Sequence, residues 1–143
     1  MEQKAREEDD AVRTDPVRAG QMLYERRCQT CHQASGQGVP GVFPPLIGSE
    51  WETGPPETPV RIVLNGLQGP IEVAGSTYNG FMPAWRDQLS DSEIAAVVTF
   101  IRQWNTNDAG PVPPELVAQL RAATAARPGP WTAEELRVLE SGP

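Results

Sequence analysis

The chain has 143 residues, 38% of them apolar, with 15 prolines, 13 glycines and a net charge of −7. That length suits one small domain with extensions, and so much proline and glycine implies long loops and limited apolar surface to bury. No run of about 18 apolar residues exists to span a membrane, and the acidic balance argues against nucleic acid or anionic lipid as a partner.

Residues 1–14 read as an acidic linker, charged throughout from Glu2 to Asp10 and lacking the apolar segment of a signal peptide. Asp15-Pro16 is a helix start with a mechanism: Asp accepts from free backbone N–H groups, and Pro takes the first helical position, where no N–H is missed. Val17, Gly20, Tyr24 and Cys28 then recur at helical spacing.

The helix delivers Cys28-Gln29-Thr30-Cys31-His32, and the chain holds no other cysteine or histidine. A haem's vinyl groups lie on neighbouring pyrroles. Cysteines three positions apart can each add to one of them while the next residue offers an imidazole to the iron. A disulfide within this string would close too short a loop to staple a domain. A redox dithiol calls for a βαβ context that is not visible here. Structural zinc would lack a fourth ligand unless a carboxylate joined in. The string therefore reads as the attachment site of one covalent haem c, bound through Cys28 and Cys31, with His32 as the proximal ligand. A porphyrin in so loop-rich a chain would double as core, so the apoprotein should fold poorly. Such attachment places the protein in the periplasm or on the outer face of the cytoplasmic membrane. A targeting or anchoring segment is then expected to precede these residues in the native protein, with Met1 not its natural start.

From Gln33 to Gly54 glycine and proline dominate, which predicts an irregular loop wrapping something apolar. His32 needs an acceptor to fix its ring, and a carbonyl of Phe43-Pro44-Pro45-Leu46 is the best candidate. A helix should run from Thr58 or Pro59 to Asn65, closed by Gly66. Gly66 to Gly80 lacks convincing periodicity and reads as a loop with a short hairpin near Gly69 to Thr77. With no second histidine, Met82 is the remaining candidate for the sixth iron position: Met22 lies too near Cys28 in sequence, and Met1 is terminal. Trp51, Tyr78, Asn79 and Trp85 have polar tips in loops that should approach the ring, either as propionate donors or as ordinary half-buried aromatics.

Ser90 to Asn105 is the clearest helix. Ser90 and Glu93 form a capping box, Leu89 and Ile94 a staple, and Ile94, Val97, Val98 and Ile101 an apolar stripe widened by Phe100 and Trp104. The Pro-rich segment after Asn105 leads to a tail with helical pieces at Glu115 to Ala126 and Ala133 to Glu140, the second with Thr132 and Glu135 as its capping box. The tail could pack back on the domain or serve as a linker or docking arm.

With this ordered set the chain resembles class I c-type cytochromes from about Asp15 to Asn105. The resemblance implies an all-α fold, three to four main helices around one covalent haem, here with a C-terminal helical extension. It divides the chain into a linker (1–14), a cytochrome domain (15–105) and an extension (106–143). Gly20 and Tyr24 look like the family's glycine and aromatic that meet the last helix, where Val97 and Phe100 look like their partners. Pro44 falls where the family places the carbonyl acceptor for the proximal histidine, and Leu46 where it packs a leucine on the ring. Phe81 lies in the Gly-Phe-Met-Pro motif, and Met82 at the distal methionine. The stretch from Gly38 to Trp51 looks like bacterial monohaem domains fused to or associated with haem-copper oxidases, quinol-oxidising complexes and quinoprotein dehydrogenases.

Two departures stand out: near absence of lysine, which is at odds with a lysine-ring docking mode, and the tail. The implied function is one-electron transfer between respiratory components, with redox proteins bearing a basic patch as partners. The rivals are a haem enzyme or gas sensor with a labile distal ligand, and a fixed docking subunit of a larger complex.

Overall fold

The computed structural model describes residues 15–142; the acidic segment 1–14 lies outside the described residues. In chain order the elements are α1 (Pro16–Leu23), a π-helical turn (Tyr24–Cys28), α2 (Gln29–His32), α3 (Glu50–Thr53), α4 (Glu57–Asn65), β1 (Leu67–Val73), β2 (Ser76–Met82), α5 (Asp91–Gln103), α6 (Pro114–Ala123) and α7 (Ala133–Ser141). No described helix is long and apolar enough to cross a membrane.

Asp15 caps α1 by accepting from the Arg18 N–H at 3.1 Å, with Pro16 in the first turn. The buried face of α1 is Ala19, Gly20 and Leu23, whereas Val17 is 64% exposed. The spacing that joined Val17 to Cys28 therefore does not hold. At the π turn the Gln29 N–H reaches back five residues to the Tyr24 carbonyl, and one extra residue in a turn rotates everything after it. The two cysteines thus face a direction that the phase of α1 does not give.

α1 crosses α5 where Gly20 lies against Ala96 and Phe100; a Cβ on Gly20 would collide with the Ala96 carbonyl oxygen. Ala96 and Phe100 are Gly20's neighbours, while Val97 turns toward the interior cavity. Tyr24, Phe100 and Trp104 then stack in a trio, with Trp104 4.8 Å from each of the other two ring centres. The capping box of Ser90 and Glu93 is present in both directions. The helix ends at Gln103, two residues before the expected Asn105, because Trp104 is extended and Asn105 has a positive φ of 54°.

The hairpin is the main departure from the sequence reading. β1 and β2 pair antiparallel from Leu67↔Met82 to Val73↔Ser76, longer than the expected Gly69 to Thr77. Burial alternates all along β1 but is full only at Ile71 and Val73, and with Gly69 and Pro70 in the middle the apolar alternation is weak in sequence. The tail supplies the support: Trp131 donates its backbone N–H to the Gly66 carbonyl (3.0 Å) and accepts from the Gln68 N–H (2.9 Å).

Apolar side chains gather in two clusters. One holds α1, α4, α5 and α6, including Leu23, Leu64, Ile94, Val97 and Val117. The other joins the hairpin to α7 through Trp51, Ile71, Tyr78, Trp131 and Leu136. The tail after Asn105 thus packs back, since Val117 and Leu136 are fully buried, one in each cluster.

Candidate functional site: a divided core around two cysteines, a histidine and a methionine

Between the two clusters lies an apolar cavity, walled by Leu46, Val97 and Ile101 on one side and Trp51, Ile71 and Met82 on the other. A second cavity adjoins it, and the two share His32, Pro44, Leu67, Ile71 and Met82. Cys28 lines the first and Cys31 the second. A slot running between two half-cores, with one thiol at each lobe, fits a flat macrocycle tethered at two neighbouring points.

Each polar group of the site is placed by its element. The π turn presents Cys28, whose thiol is pushed up to about 12 by burial and, next, by the Glu52 carboxyl. That direction is opposite to the lowered pKa of redox CxxC thiols, so a dithiol exchange site is disfavoured. His32 is 8% exposed and donates Nδ1–H to the Pro44 carbonyl at 2.9 Å, the acceptor loop expected from sequence. Fixing Nδ1 assigns the tautomer and leaves Nε2 with the lone pair a metal needs. Burial lowers the His32 pKa, which also favours the neutral ring. The chain turns sharply after His32 at Gln33, with φ of 70°, and the Tyr24 hydroxyl clamps that turn by donating to the Gln33 carbonyl at 2.5 Å.

Met82 closes β2 and lines both cavities. Gly66, just before β1, has φ of 84°, and a Cβ there would strike the Met82 carbonyl oxygen. This close approach lets the strand end sit beside the end of α4. Three residues on, the Trp85 N–H donates to the Val63 carbonyl at 2.8 Å and fixes the exit of the methionine segment.

The remaining residues singled out from sequence divide. Pro44, Leu46 and Trp51 line the first cavity, and Tyr78 and Phe81 the second, Phe81 at 68% exposure on its rim. The Trp51 indole N–H is committed to the Glu72 carbonyl at 2.8 Å. Trp85 packs against the helical cluster, and exposed Asn79 lines neither cavity. Sequence reading missed Ile62, Val63, Val73 and Glu52 as lining residues. For Ile62 and Val63 the stripe of α4 was a usable signal; Glu52 sits on a four-residue helix inside a stretch read as loop, where no periodicity exists.

The donor set fits a haem: two cysteines at the lobes, one oriented imidazole, one thioether and walls that are apolar but for Ser49 and Glu52. Comparison with known proteins agrees. Residues 15–101 match the family model described as cytochrome c oxidase, cbb3-type, subunit III. The chain is 48% identical over 86 residues to cytochrome c-552 of Thermus thermophilus, covering 57% of this chain and 64% of that protein. It is 36% identical over 110 residues to the cytochrome c subunit of a quinone-dependent alcohol dehydrogenase from Gluconobacter oxydans, covering 75% of this chain and 23% of that subunit. It is 32% identical over 92 residues to the CcoP subunit of a cbb3-type cytochrome c oxidase from an Azospirillum species, covering 59% of this chain and 27% of that protein. The match thus spans less than two thirds of each of these relatives.

Proposed function

This chain belongs to the cytochrome c family and carries a single c-type haem on Cys28 and Cys31, and we propose that it is a one-electron carrier whose iron is held by His32 and Met82. When bound, the haem supplies a one-electron iron couple. The chain's own residues decide what that couple can do. Pro44 holds His32 in one tautomer, so the proximal nitrogen does not shift between redox states. Met82, on a strand end anchored by the hairpin and by Trp85, lines the same cavities and would hold the iron through its thioether. With His32 and Met82 both holding the iron, the haem would keep no site for substrate or dioxygen and would supply electron transfer alone. A soft thioether and dry walls both favour the ferrous state and raise the potential.

The observation that carries this reading is that an oriented His32 and Met82 both line the same two adjoining cavities. Carbon monoxide added to the reduced protein tests it. No binding at neutral pH is expected; rapid stoichiometric binding would make the site that of a haem enzyme or gas sensor.

The working partners are redox proteins outside the cytoplasmic membrane that present a basic surface, since the chain carries −7 before any propionates are added. A second reading, one domain of a larger redox-enzyme subunit, is favoured by the relatives of which this chain matches only about a quarter. Purification from native membranes would distinguish a retained subunit from a free carrier.

A further inference from the structure

Among the described residues, Glu52 is the one carboxylate lining either cavity, and no lysine or arginine lines them. It sits on α3 beside Trp51, 8% exposed. Cys28 approaches it from the π turn and Arg102 from α5. Glu57 on α4 acts in turn on Arg102, and the hairpin shows this cavity only apolar side chains such as Ile71 and Val73. Arg102 spends its donors on backbone, giving 2.8 Å bonds to the carbonyls of Glu52, Gly54 and Gly110.

We propose that Glu52 is a redox-linked proton site, its carboxylate taking a proton from solvent when the haem iron gains an electron and returning it on oxidation. The proposal builds on the carrier reading above. Reduction adds one electron, delivered by the partner redox protein, and removes one positive charge from the cavity. The proton comes from water, the only new bond is the carboxyl O–H, and oxidation reverses both. Burial pushes the carboxyl up to about 7, with Arg102 pulling partly back, so its charge is variable near neutral pH. In a low-dielectric interior, charges in one cavity interact far more strongly than across water. Ferric iron therefore favours ionised Glu52. Raising the pH through its titration range stabilises the oxidised state and lowers the potential.

Spectroelectrochemical titration of the holoprotein across neutral pH tests this directly. The wild-type potential should fall most steeply near neutrality. Glu52→Gln, which mimics the protonated carboxyl, should be flat over that interval at a value close to the acid limit of the wild type. A flat wild-type curve, or a Glu52→Gln curve with the slope intact, would overturn the proposal. If the variant fails to load haem, the redox-induced infrared difference spectrum of wild-type protein decides. A protonated-carboxyl band should grow on reduction at neutral pH and shift when glutamate is labelled with ¹³C at its side-chain carboxyl; a band that does not shift assigns the proton elsewhere and defeats the proposal. Carbon monoxide binding would defeat the carrier reading alone, so the two fail separately.

Discussion

Arg86 and Arg121 exchange hydrogen bonds with each other's backbone: Arg86 donates to the Arg121 carbonyl at 3.0 Å and Arg121 to the Arg86 carbonyl at 2.5 Å. Arg121 also reaches the Leu89 carbonyl and Asp91 Oδ1, while Arg86 reaches Asn65 Oδ1 and the Thr124 carbonyl. The loop that leaves Met82 is thereby tied at once to the ends of α4 and α6 and to the start of α5. Two residues of like charge stand side by side because their partners are carbonyl oxygens and a carboxylate.

Arg121→Ala should therefore act on the methionine segment from a distance. It strands the carbonyls of Arg86 and Leu89 and is expected to cost about 1–3 kcal/mol of stability. Denaturant unfolding measures that loss. Faster displacement of the distal ligand by imidazole should accompany it, because the loop carrying Met82 is less restrained.

Met82→Ala is expected to lower the reduction potential and open the iron to exogenous ligands, since an apolar slot would then hold iron with one axial donor. Potentiometry and the ferric absorption spectrum check it. An unaltered potential and spectrum would mean that another side chain completes the coordination.

Gly66→Ala confronts two costs together. A left-handed φ of 84° costs a side chain about 1–2 kcal/mol, and the new Cβ meets the Met82 carbonyl. Thermal unfolding should show a loss beyond the backbone cost alone, together with easier carbon monoxide binding. Gly75→Ala is the control: its φ is also 84°, but a Cβ there meets nothing within 4 Å.

Trp131→Ala should detach the tail from the hairpin. The indole is buried, donates to the Arg61 carbonyl at 2.9 Å and carries Arg127 over its face at 3.6 Å. Loss of a buried aromatic costs about 3–5 kcal/mol. Deleting everything after Asn105 should be worse, because Val117 and Leu120 belong to the main cluster. That deletion is expected to impair haem retention, and an intact spectrum at wild-type stability would show the tail to be dispensable to the fold.

Acid should loosen the same tail. Glu135 is held below the usual carboxylate range chiefly by its hydrogen bonds from Arg127, at 2.7 and 3.1 Å, with Thr132 adding to them. A depressed pKa means that the contribution is present at neutral pH and is lost as pH falls through the folded value. The difference in melting temperature between wild type and Glu135→Gln should be largest at neutral pH, begin to shrink near the ordinary carboxylate pKa of about 4.3 and vanish only below the depressed folded value.

Much of this molecule could be read directly from local signals. The Asp15 cap, the capping boxes at Ser90 and Thr132 and the Cys28 to His32 string each involve residues within a few positions, where the chemistry is complete without knowing the fold. The acceptor loop Phe43 to Leu46 was reachable because prolines stiffen it, and the family resemblance singled out Pro44 within it. Phase across the π turn was not, since one inserted residue leaves no mark in composition.

Asn107 shows the other side. In sequence it is one polar residue of a Pro-rich segment read as the start of an extension; in the fold its amide donates to the Leu46 and Ile101 carbonyls at 3.0 and 2.8 Å and accepts from the Gly48 N–H at 2.8 Å. Glu52 is likewise an ordinary surface residue until α5 and the π turn enclose it. The sequence by itself determined the cofactor chemistry and the capped helix starts at Asp15, Ser90 and Thr132, because covalent attachment and capping depend on neighbours along the chain. Only the tertiary structure decided the split core, the docking of the tail and the burial of Glu52, because burial and charge coupling depend on segments far apart in sequence being brought within a few ångströms.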